Sequence, residues 1–218
     1  MLTLLDDAQM SPDKVYETHD GNPVTVGQAK NIRDSHRGDH AIALKRAVAG
    51  SSNVYFAKAV WEYYGQTGKK QQFSDHLHKV LGLGETTGLD SLGERKPSVT
   101  TDWKVPDPGI MLVKMSYGYR VQMTPMQMLT FYNAIANGGR KIAPVLVREL
   151  RRGDRTVAEF STHTLREKIC SDETLAIVRD CLEEVAKTGT AAPYFSDTTR
   201  VRVAAKTGTA QITSGESG

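Results

Sequence analysis

The stretch Val201-Arg-Val-Ala-Ala-Lys-Thr-Gly-Thr-Ala-Gln-Ile212 decides the fold expected for this chain of 218 residues. Apolar and polar residues alternate at its start and β-branched residues recur along it, which predicts a half-buried strand. Gly208 has no Cβ, so another chain can lie against the strand edge there. Lys206 adds a positive charge, and the hydroxyls of Thr207 and Thr209 add hydrogen-bond donors. This combination predicts a site for a carboxylate.

The same tetrapeptide occurs earlier in the chain as Lys187-Thr-Gly-Thr190. It follows the segment Thr174–Ala186, in which apolar residues recur at helical spacing. We therefore predict a helix that stops at Gly189, since glycine is the commonest residue just past a helix end. On this interpretation the first copy is a helix end and loop, and the second copy is the functional strand.

Composition excludes several classes of protein. The formal net charge is only +3, and the chain contains no run of Lys and Arg of the kind that binds nucleic acid. No stretch approaches the ~20 apolar residues of a membrane span, and the first residues do not resemble a signal peptide. Cys170 and Cys181 lack Cys-x-x-Cys spacing and the histidines lack a His-Glu-x-x-His pattern. We expect neither a metal nor a cofactor, and two cysteines that are structural or free.

A second candidate site lies at Ser51-Ser-Asn53, on a short loop between two predicted helices. A serine hydroxyl and an asparagine amide two residues apart can both face a cleft. The alternative is structural, because Ser and Asn are also the commonest N-caps. Ser11-Pro-Asp-Lys14 matches the Ser-x-x-Lys pattern of an activated serine. No helical face supports Lys14, so we do not assign Ser11 as a nucleophile.

Further elements are predicted from periodicity and from residues that begin or end helices. Helices are expected from Lys69 to Leu81 and from Pro125, capped by Thr124, to a stop at Gly138. A surface hairpin is expected from 145–150 and 155–159.

Taken in order, these motifs resemble the transpeptidase domain of class B penicillin-binding proteins, of the septal-division type in Gram-negative bacteria and in particular a Bacteroidetes-like member. The resemblance runs nearly end to end. The matching segments are Ser51-Ser-Asn53, Gly82-Leu-Gly-Glu-Thr-Thr-Gly-Leu-Asp90, Tyr117-Gly-Tyr-Arg-Val-Gln-Met-Thr-Pro125 with its helix to Gly139, Gly189-Thr-Ala191 and Val203-Ala-Ala-Lys-Thr-Gly-Thr-Ala-Gln211.

The resemblance implies an α+β fold, that of penicillin-binding proteins and serine β-lactamases. It also implies a peptidoglycan D,D-transpeptidase that cross-links stem peptides through an acyl-serine and is acylated by β-lactams. Ser51 would relay a proton and Asn53 would hold the substrate amide. The carboxylate of the terminal D-Ala-D-Ala would be bound by the strand residues Lys206, Thr207, Gly208 and Thr209. The family acts at the periplasmic face of the inner membrane, anchored by an N-terminal segment, and meets membrane proteins of the division machinery.

In the family, the Ser-x-x-Lys element with the nucleophilic serine is expected just before the position of Met1. This sequence lacks the element and so departs from the family pattern. We therefore expect one incomplete domain over 1–218, with a mainly helical part at 1–140 and the hairpin, a helix and the Lys-Thr-Gly strand at 141–218. Such a fragment would be inactive alone and would self-associate through its exposed sheet edge. The alternatives are a D,D-carboxypeptidase or β-lactamase relative, and a non-catalytic interaction module of the same fold.

Overall fold

A computed structural model describes residues 1–35, 38, 40–89, 93–195 and 201–208. Helices form the interior of this part of the chain, and short antiparallel strand pairs lie around them. This mixture confirms the α+β class predicted from the sequence. Thr209 and the rest of the predicted strand to Ile212 lie outside the described residues.

The helices differ in length from one turn to more than four turns. They are α1 (Leu2–Asp6), α2 (Leu44–Ala49), α3 (Asn53–Val60), α4 (Lys70–Asp75), α5 (Pro108–Met115), α6 (Pro125–Ala136), α7 (Asp172–Lys187) and α8 (Ala192–Phe195). Single π-helical turns, Trp61–Gly65 and His76–Val80, continue α3 and α4. The helix predicted from Lys69 to Leu81 is therefore present as α4 with its π-helical extension.

The strands are short and pair two at a time. They are β1 (Tyr16–Glu17), β2 (Val24–Val26), β3 (Ala29–Ile32), β4 (Ala41–Ile42), β5 (Ser98–Val99), β6 (Val121–Gln122), β7 (Lys141–Ile142), β8 (Glu149–Arg152), β9 (Arg155–Glu159) and β10 (Thr164–Arg166). The antiparallel pairs are β1 with β4, β2 with β3, β5 with β6, β7 with β10 and β8 with β9. The pair β8–β9 is the predicted surface hairpin, but its first strand is Glu149–Arg152 and not 145–150. Cross-strand pairing of Arg151 and Arg152 shortens the predicted turn to Gly153 and Asp154.

Helix α7 organises the core. Its apolar residues fall on one face and are buried against α2, α1 and α6: Leu175, Val178, Cys181, Leu182 and Val185. Burying a side chain of this size stabilises the fold by ~1.5–3 kcal/mol. At the start of α7 the Ser171 hydroxyl accepts a hydrogen bond from the Thr174 amide, and the helix ends at Lys187. The helix predicted here is confirmed.

Helix α6 also begins as its sequence predicts. Thr124 and Gln127 form a reciprocal capping box, in which each side chain accepts a hydrogen bond from the other residue's backbone N–H. Pro125 is the first helical residue, and Gly138 adopts φ +69 after the last turn. The left-handed conformation at Gly138 explains why the helix stops there.

Both cysteines are buried and unpaired. Burial raises the pKa of each thiol, Cys170 and Cys181, to about 11. They are therefore thiols at neutral pH and serve as small apolar side chains. Across the described residues, the helices are too short or too polar for any of them to span a bilayer.

The strand predicted from Val201 is not formed in the described residues. Residues 201–208 have no strand pairing. The amide of Ala205 donates instead to the carbonyl of Leu182 in α7, at 3.0 Å. A period of two in the sequence predicts which residues face the core, but pairing needs a neighbouring strand within hydrogen-bond reach. Here the neighbour is a helix.

Gly189 lies just past the end of α7, as predicted, but for a different physical reason. Its φ is not in the left-handed region, so it does not end α7 as a helix-stop glycine does. A Cβ at this position would lie 2.4 Å from the carbonyl oxygen of Ala49 and 2.8 Å from the Cα of Val185. Glycine is needed because the backbone after α7 touches the end of α2.

Replacing Gly189 with alanine should therefore destabilise the fold. The added methyl group meets backbone atoms, which cannot move aside as a flexible side chain does, and overpacking of this kind costs ~1–3 kcal/mol. Gly38→Ala is the control, because a Cβ there meets nothing within 4 Å. Urea unfolding of the two variants checks this. Equal stability of Gly189→Ala and the wild type would show that α2 and α7 do not approach so closely.

Candidate active site

Lys206 and Ser51 meet in the structure although 155 residues separate them. The Lys206 ammonium donates to the Ser51 hydroxyl oxygen at 2.8 Å and to the Thr207 carbonyl at 3.1 Å. The two sequence motifs that were singled out as candidate sites thus share one polar contact. Since Lys206 Nζ donates to Ser51 Oγ, the serine keeps its own hydroxyl hydrogen for donation to another group.

The C-terminal end of α7 holds the Lys206 segment in place. Ala205 is bonded to the Leu182 carbonyl, and the Thr207 and Thr190 hydroxyl oxygens lie 2.6 Å apart. Thr190 is itself fixed, because its amide donates to the Ala49 carbonyl at 3.0 Å. The end of α2, the loop after α7 and the Lys206 segment are therefore joined by hydrogen bonds.

Ser51 occupies a tight turn between α2 and α3. Its φ is 56°, in the left-handed region that non-glycine residues rarely adopt. The turn is held by Ser51 N–H to the Val48 carbonyl, 3.2 Å, and Ser52 N–H to the Ala47 carbonyl, 2.9 Å. A strained conformation of this kind costs ~1–3 kcal/mol and is commonly found at functional sites.

Ser52, not Ser51 or Asn53, is the N-cap of α3. Its hydroxyl accepts from the Tyr55 amide at 3.0 Å and donates to Asp34 at 2.7 Å. The sequence left open that this motif caps a helix. The cap is its middle residue, Ser52. The side chains of Ser51 and Asn53 are left for other contacts.

Asp34 is a residue that the sequence did not single out. One carboxylate oxygen accepts from the Ser52 hydroxyl, and the other accepts from the Val54 amide at 2.9 Å. Asp34 therefore ties the loop before α2 to the first turn of α3. Its position between polar turn residues gave no signal of this long-range contact.

Asn53 points away from the Lys206–Ser51 pair. Its amide group donates to the Arg33 carbonyl at 3.1 Å, and the residue lines a pocket of about 570 Å³ beside α3. No hydrogen bond joins Asn53 to Ser51 or Lys206 in the described part of the chain. Asn53 is thus next to the pair along the chain, but its side chain bonds to Arg33.

Gly208 is exposed, and a Cβ there would meet nothing within 4 Å. The backbone is therefore unobstructed at this point, and the role of Gly208 in binding a ligand stays a prediction. Thr207 is half-buried against Thr190. Thr209, the remaining predicted substrate-binding residue, lies outside the described residues.

The electrostatics of Lys206 differ from those of an ordinary surface lysine. Burial lowers the pKa of its ammonium from the ordinary 10.5, because the charged form loses hydration. No carboxylate lies within ion-pair distance of it among the described residues. A partly dehydrated cation without a counter-ion favours an incoming anion, and the nearby hydroxyls can complete its binding.

The first Lys-Thr-Gly-Thr copy contributes to the site, which the sequence analysis did not predict. Lys187 is a surface residue paired with Glu183 at 3.1 Å. Gly189 and Thr190, in contrast, line a cleft of about 350 Å³ together with Gly50 and Ser52. Lys187 ends α7 and Thr188 follows it, so the first copy is a helix end and loop as predicted. The contact of its Thr190 with Thr207 was not predicted.

The Ser11-x-x-Lys14 pattern does not form a nucleophile and base. The Ser11 hydroxyl accepts from the Asp13 amide, and Lys14 forms an ion pair with Glu62 at 2.9 Å. The hydrogen bond to Glu62 raises the pKa of Lys14, opposite to what a general base needs. The segment is not helical, in agreement with the sequence analysis.

Asp34→Ala should destabilise the protein and loosen the Ser51 turn. It removes the acceptor for the Val54 amide and the Ser52 hydroxyl, and loss of a cap of this kind costs about 0.5–2 kcal/mol. Asp34→Asn keeps one oxygen acceptor and should cost less. Asp154→Ala, in the exposed β8–β9 turn, is the control. Urea unfolding gives the ranking, and an Asp34→Ala variant as stable as Asp154→Ala would contradict it.

Comparison with known proteins adds an independent finding. The family model described as "Penicillin binding protein transpeptidase domain" matches residues 1–218. The chain is 28% identical over 182 residues to "Stage V sporulation protein D" of Bacillus subtilis, which covers 83% of this chain and 27% of that protein. It is 30% identical over 139 residues to "Peptidoglycan D,D-transpeptidase FtsI" of Buchnera aphidicola, covering 62% of this chain and 22% of that protein.

Two solved structures share the fold. One is the crystal structure of a peptidoglycan glycosyltransferase from Burkholderia ambifaria, with a TM-score of 0.66 at 21% identity over 87% of this chain and 54% of that one. The other is a putative peptidoglycan glycosyltransferase from Atopobium parvulum, with a TM-score of 0.65 at 23% identity over 86% of this chain and 41% of that one. The chain spans less than a third of the length of the curated relatives named above.

Proposed function

Because this chain belongs to the penicillin-binding protein transpeptidase-domain family, we propose that it forms one wall of a serine D,D-transpeptidase site that cross-links peptidoglycan stem peptides. The resemblance to penicillin-binding protein transpeptidase domains is confirmed by the match over residues 1–218, whereas the septal-division type and the Bacteroidetes-like member stay predictions. A relative named as a peptidoglycan D,D-transpeptidase supports the choice of reaction.

The observation that carries the proposal is the hydrogen bond from Lys206 to Ser51. In acyl transfer from D-Ala-D-Ala, a serine attacks the penultimate carbonyl and D-alanine leaves as an amine, which must gain a proton. The attacking serine loses its hydroxyl proton, so Ser51 can pass its own hydroxyl hydrogen to the leaving amine and take up the attacking serine's proton in return, while Lys206 Nζ holds the Ser51 hydroxyl oxygen in place. We assign Ser51 this relay and not the nucleophilic attack.

The terminal carboxylate of the substrate would bind on the Lys206 side of the site. The Lys206 ammonium supplies the positive field, the Thr207 hydroxyl supplies a donor, and Gly208 leaves the backbone open. Penicillins carry a carboxylate at the matching position, so the same groups would orient a β-lactam for acylation. Asn53 would hold the amide of the substrate's peptide chain. Thr209 completes the proposed set.

The cellular setting follows from the family and stays part of the proposal. A transpeptidase of peptidoglycan acts where its substrate lies, at the periplasmic face of the inner membrane. A role with membrane proteins of septal division is implied by the family resemblance and belongs to the same proposal. The unpaired segment 201–208 supports self-association through strand pairing.

Lys206→Ala should weaken binding of an acetylated peptide ending in D-Ala-D-Ala. A hydrogen bond to a charged group contributes about 1.5–3 kcal/mol, which corresponds to roughly tenfold or more in affinity. Lys187→Ala removes the same residue from the first tetrapeptide copy and should leave binding unchanged. NMR titration of both variants measures the difference. Equal weakening in the two variants would refute the assignment of the carboxylate site.

The same binding should decrease at alkaline pH. Lys206 is charged below its pKa and neutral above it, and burial places that pKa below the ordinary 10.5. Affinity for the carboxylate should therefore begin to fall before the pH reaches the ordinary lysine value. Lys206→Arg is the control, because arginine stays charged throughout this range. Parallel pH profiles for the wild type and Lys206→Arg would show that Lys206 does not govern binding.

A further inference from the structure

The pocket that Asn53 lines is enriched in cations and tyrosines. Its volume is about 570 Å³, within the range typical of ligand sites. The side chains relevant here come from β3, α3, α5 and the turn after α5: Lys30, Arg33, Asn53, Lys114, Tyr117 and Tyr119. These elements are far apart in sequence, so the charge cluster is produced by the fold.

The positive charge of this pocket is not compensated. No aspartate or glutamate lines it, and none of its three cations has an ion-pair partner among the described residues. The neighbouring carboxylate of Asp34 already accepts from Ser52 and Val54. Three like charges without counter-ions repel one another, and an anion in the pocket relieves that repulsion.

The pocket also contains the flat aromatic rings of two tyrosines. Tyr117 and Tyr119 stand edge to face, with ring centroids 5.6 Å apart. Gly118 between them has φ +101, a conformation that permits this turn. Tyr119 is 43% exposed, so part of its ring is available to a ligand. Amphipathic rings of this kind contact the hydrocarbon parts of a peptide while their hydroxyls bind its polar groups.

Asn53 connects this pocket to the Lys206–Ser51 pair. It lies two residues after Ser51, so the two Cα atoms are at most ~7 Å apart. Its side chain donates to the Arg33 carbonyl, which fixes the amide group on the pocket wall. A peptide held by Asn53 would therefore pass between the carboxylate site and the basic pocket.

We infer that the basic pocket binds acidic side chains of the peptide substrate, and that it favours peptides with free side carboxylates over peptides in which these are amidated. This rests on the proposed function, which it extends from the D-Ala-D-Ala end to the rest of the peptide. The ligand is an acidic peptide and not a nucleic acid, because the pocket adjoins the amide-binding Asn53.

The test compares two synthetic peptides that end in D-Ala-D-Ala and differ only in one glutamate side chain, free or amidated. The wild-type chain should bind the free acid several-fold more tightly, because the exposed cations of the pocket attract a carboxylate and not a neutral amide. The double variant Lys30→Ala/Lys114→Ala should lose that preference, and salt should reduce it in the wild type. Both lysines are exposed, so the variant keeps the fold, which its thermal melting verifies.

A matched control is Lys79→Ala/Lys168→Ala, which removes the same net charge at surface lysines outside the pocket. Equal binding of the two peptides by the wild type would overturn the inference, as would loss of the preference in the control. Binding of the amidated peptide, and its dependence on Lys206, tests the proposed function separately.

An acidic peptide without D-Ala-D-Ala provides a second independent probe. It should shift the NMR resonances of Tyr117 and Tyr119 in the wild type and not in Lys30→Ala/Lys114→Ala. If this shift occurs but binding of peptides ending in D-Ala-D-Ala does not depend on Lys206, the inferred pocket is supported and the proposed function is refuted. A single-stranded oligonucleotide that binds the pocket more tightly than the acidic peptide would instead overturn the choice of ligand.

Discussion

The contact between the end of α2 and the loop after α7 is the constraint on which the site depends. Gly189 allows the two backbones to touch, and the Thr190 amide donates to the Ala49 carbonyl. Ala49 is the last residue of α2, two positions before Ser51. Thr190 in turn contacts Thr207 through its hydroxyl. This backbone contact, together with the Thr190–Thr207 and Ala205–Leu182 hydrogen bonds, holds Ser51 and Lys206 close to each other.

Two kinds of positive charge lie near the segment Ser51-Ser-Asn53: Lys206 at Ser51, and the basic pocket that Asn53 lines. Lys206 is partly buried and bonded to hydroxyl and carbonyl oxygens, so its orientation is fixed. The cations of the basic pocket are exposed and unpaired, so their attraction is longer in range, less directional and more sensitive to salt. The first arrangement suits recognition of one carboxylate at a defined place. The second suits selection among peptides by charge.

Several features of the fold could be predicted because their causes are local. The cap and proline at the start of α6, the apolar face of α7 and the β8–β9 hairpin depend on residues within a few positions of one another. The strand at Val201 and the role of Gly189 could not be predicted in this way. Both depend on which backbone lies alongside, and an unaligned sequence does not contain that information.

The same distinction between local causes and long-range contacts applies to the candidate site. The sequence by itself determined the family through its ordered motifs, and it identified Ser51, Asn53 and Lys206 as chemically suited to a peptide substrate. Only the tertiary structure decided that Lys206 bonds to Ser51, that Asn53 faces a different pocket, and that Asp34 and Thr190 hold the site together. The physical reason is that residue types and short spacings fix local conformation and chemistry. Contacts between residues far apart in the chain arise only when the helices pack.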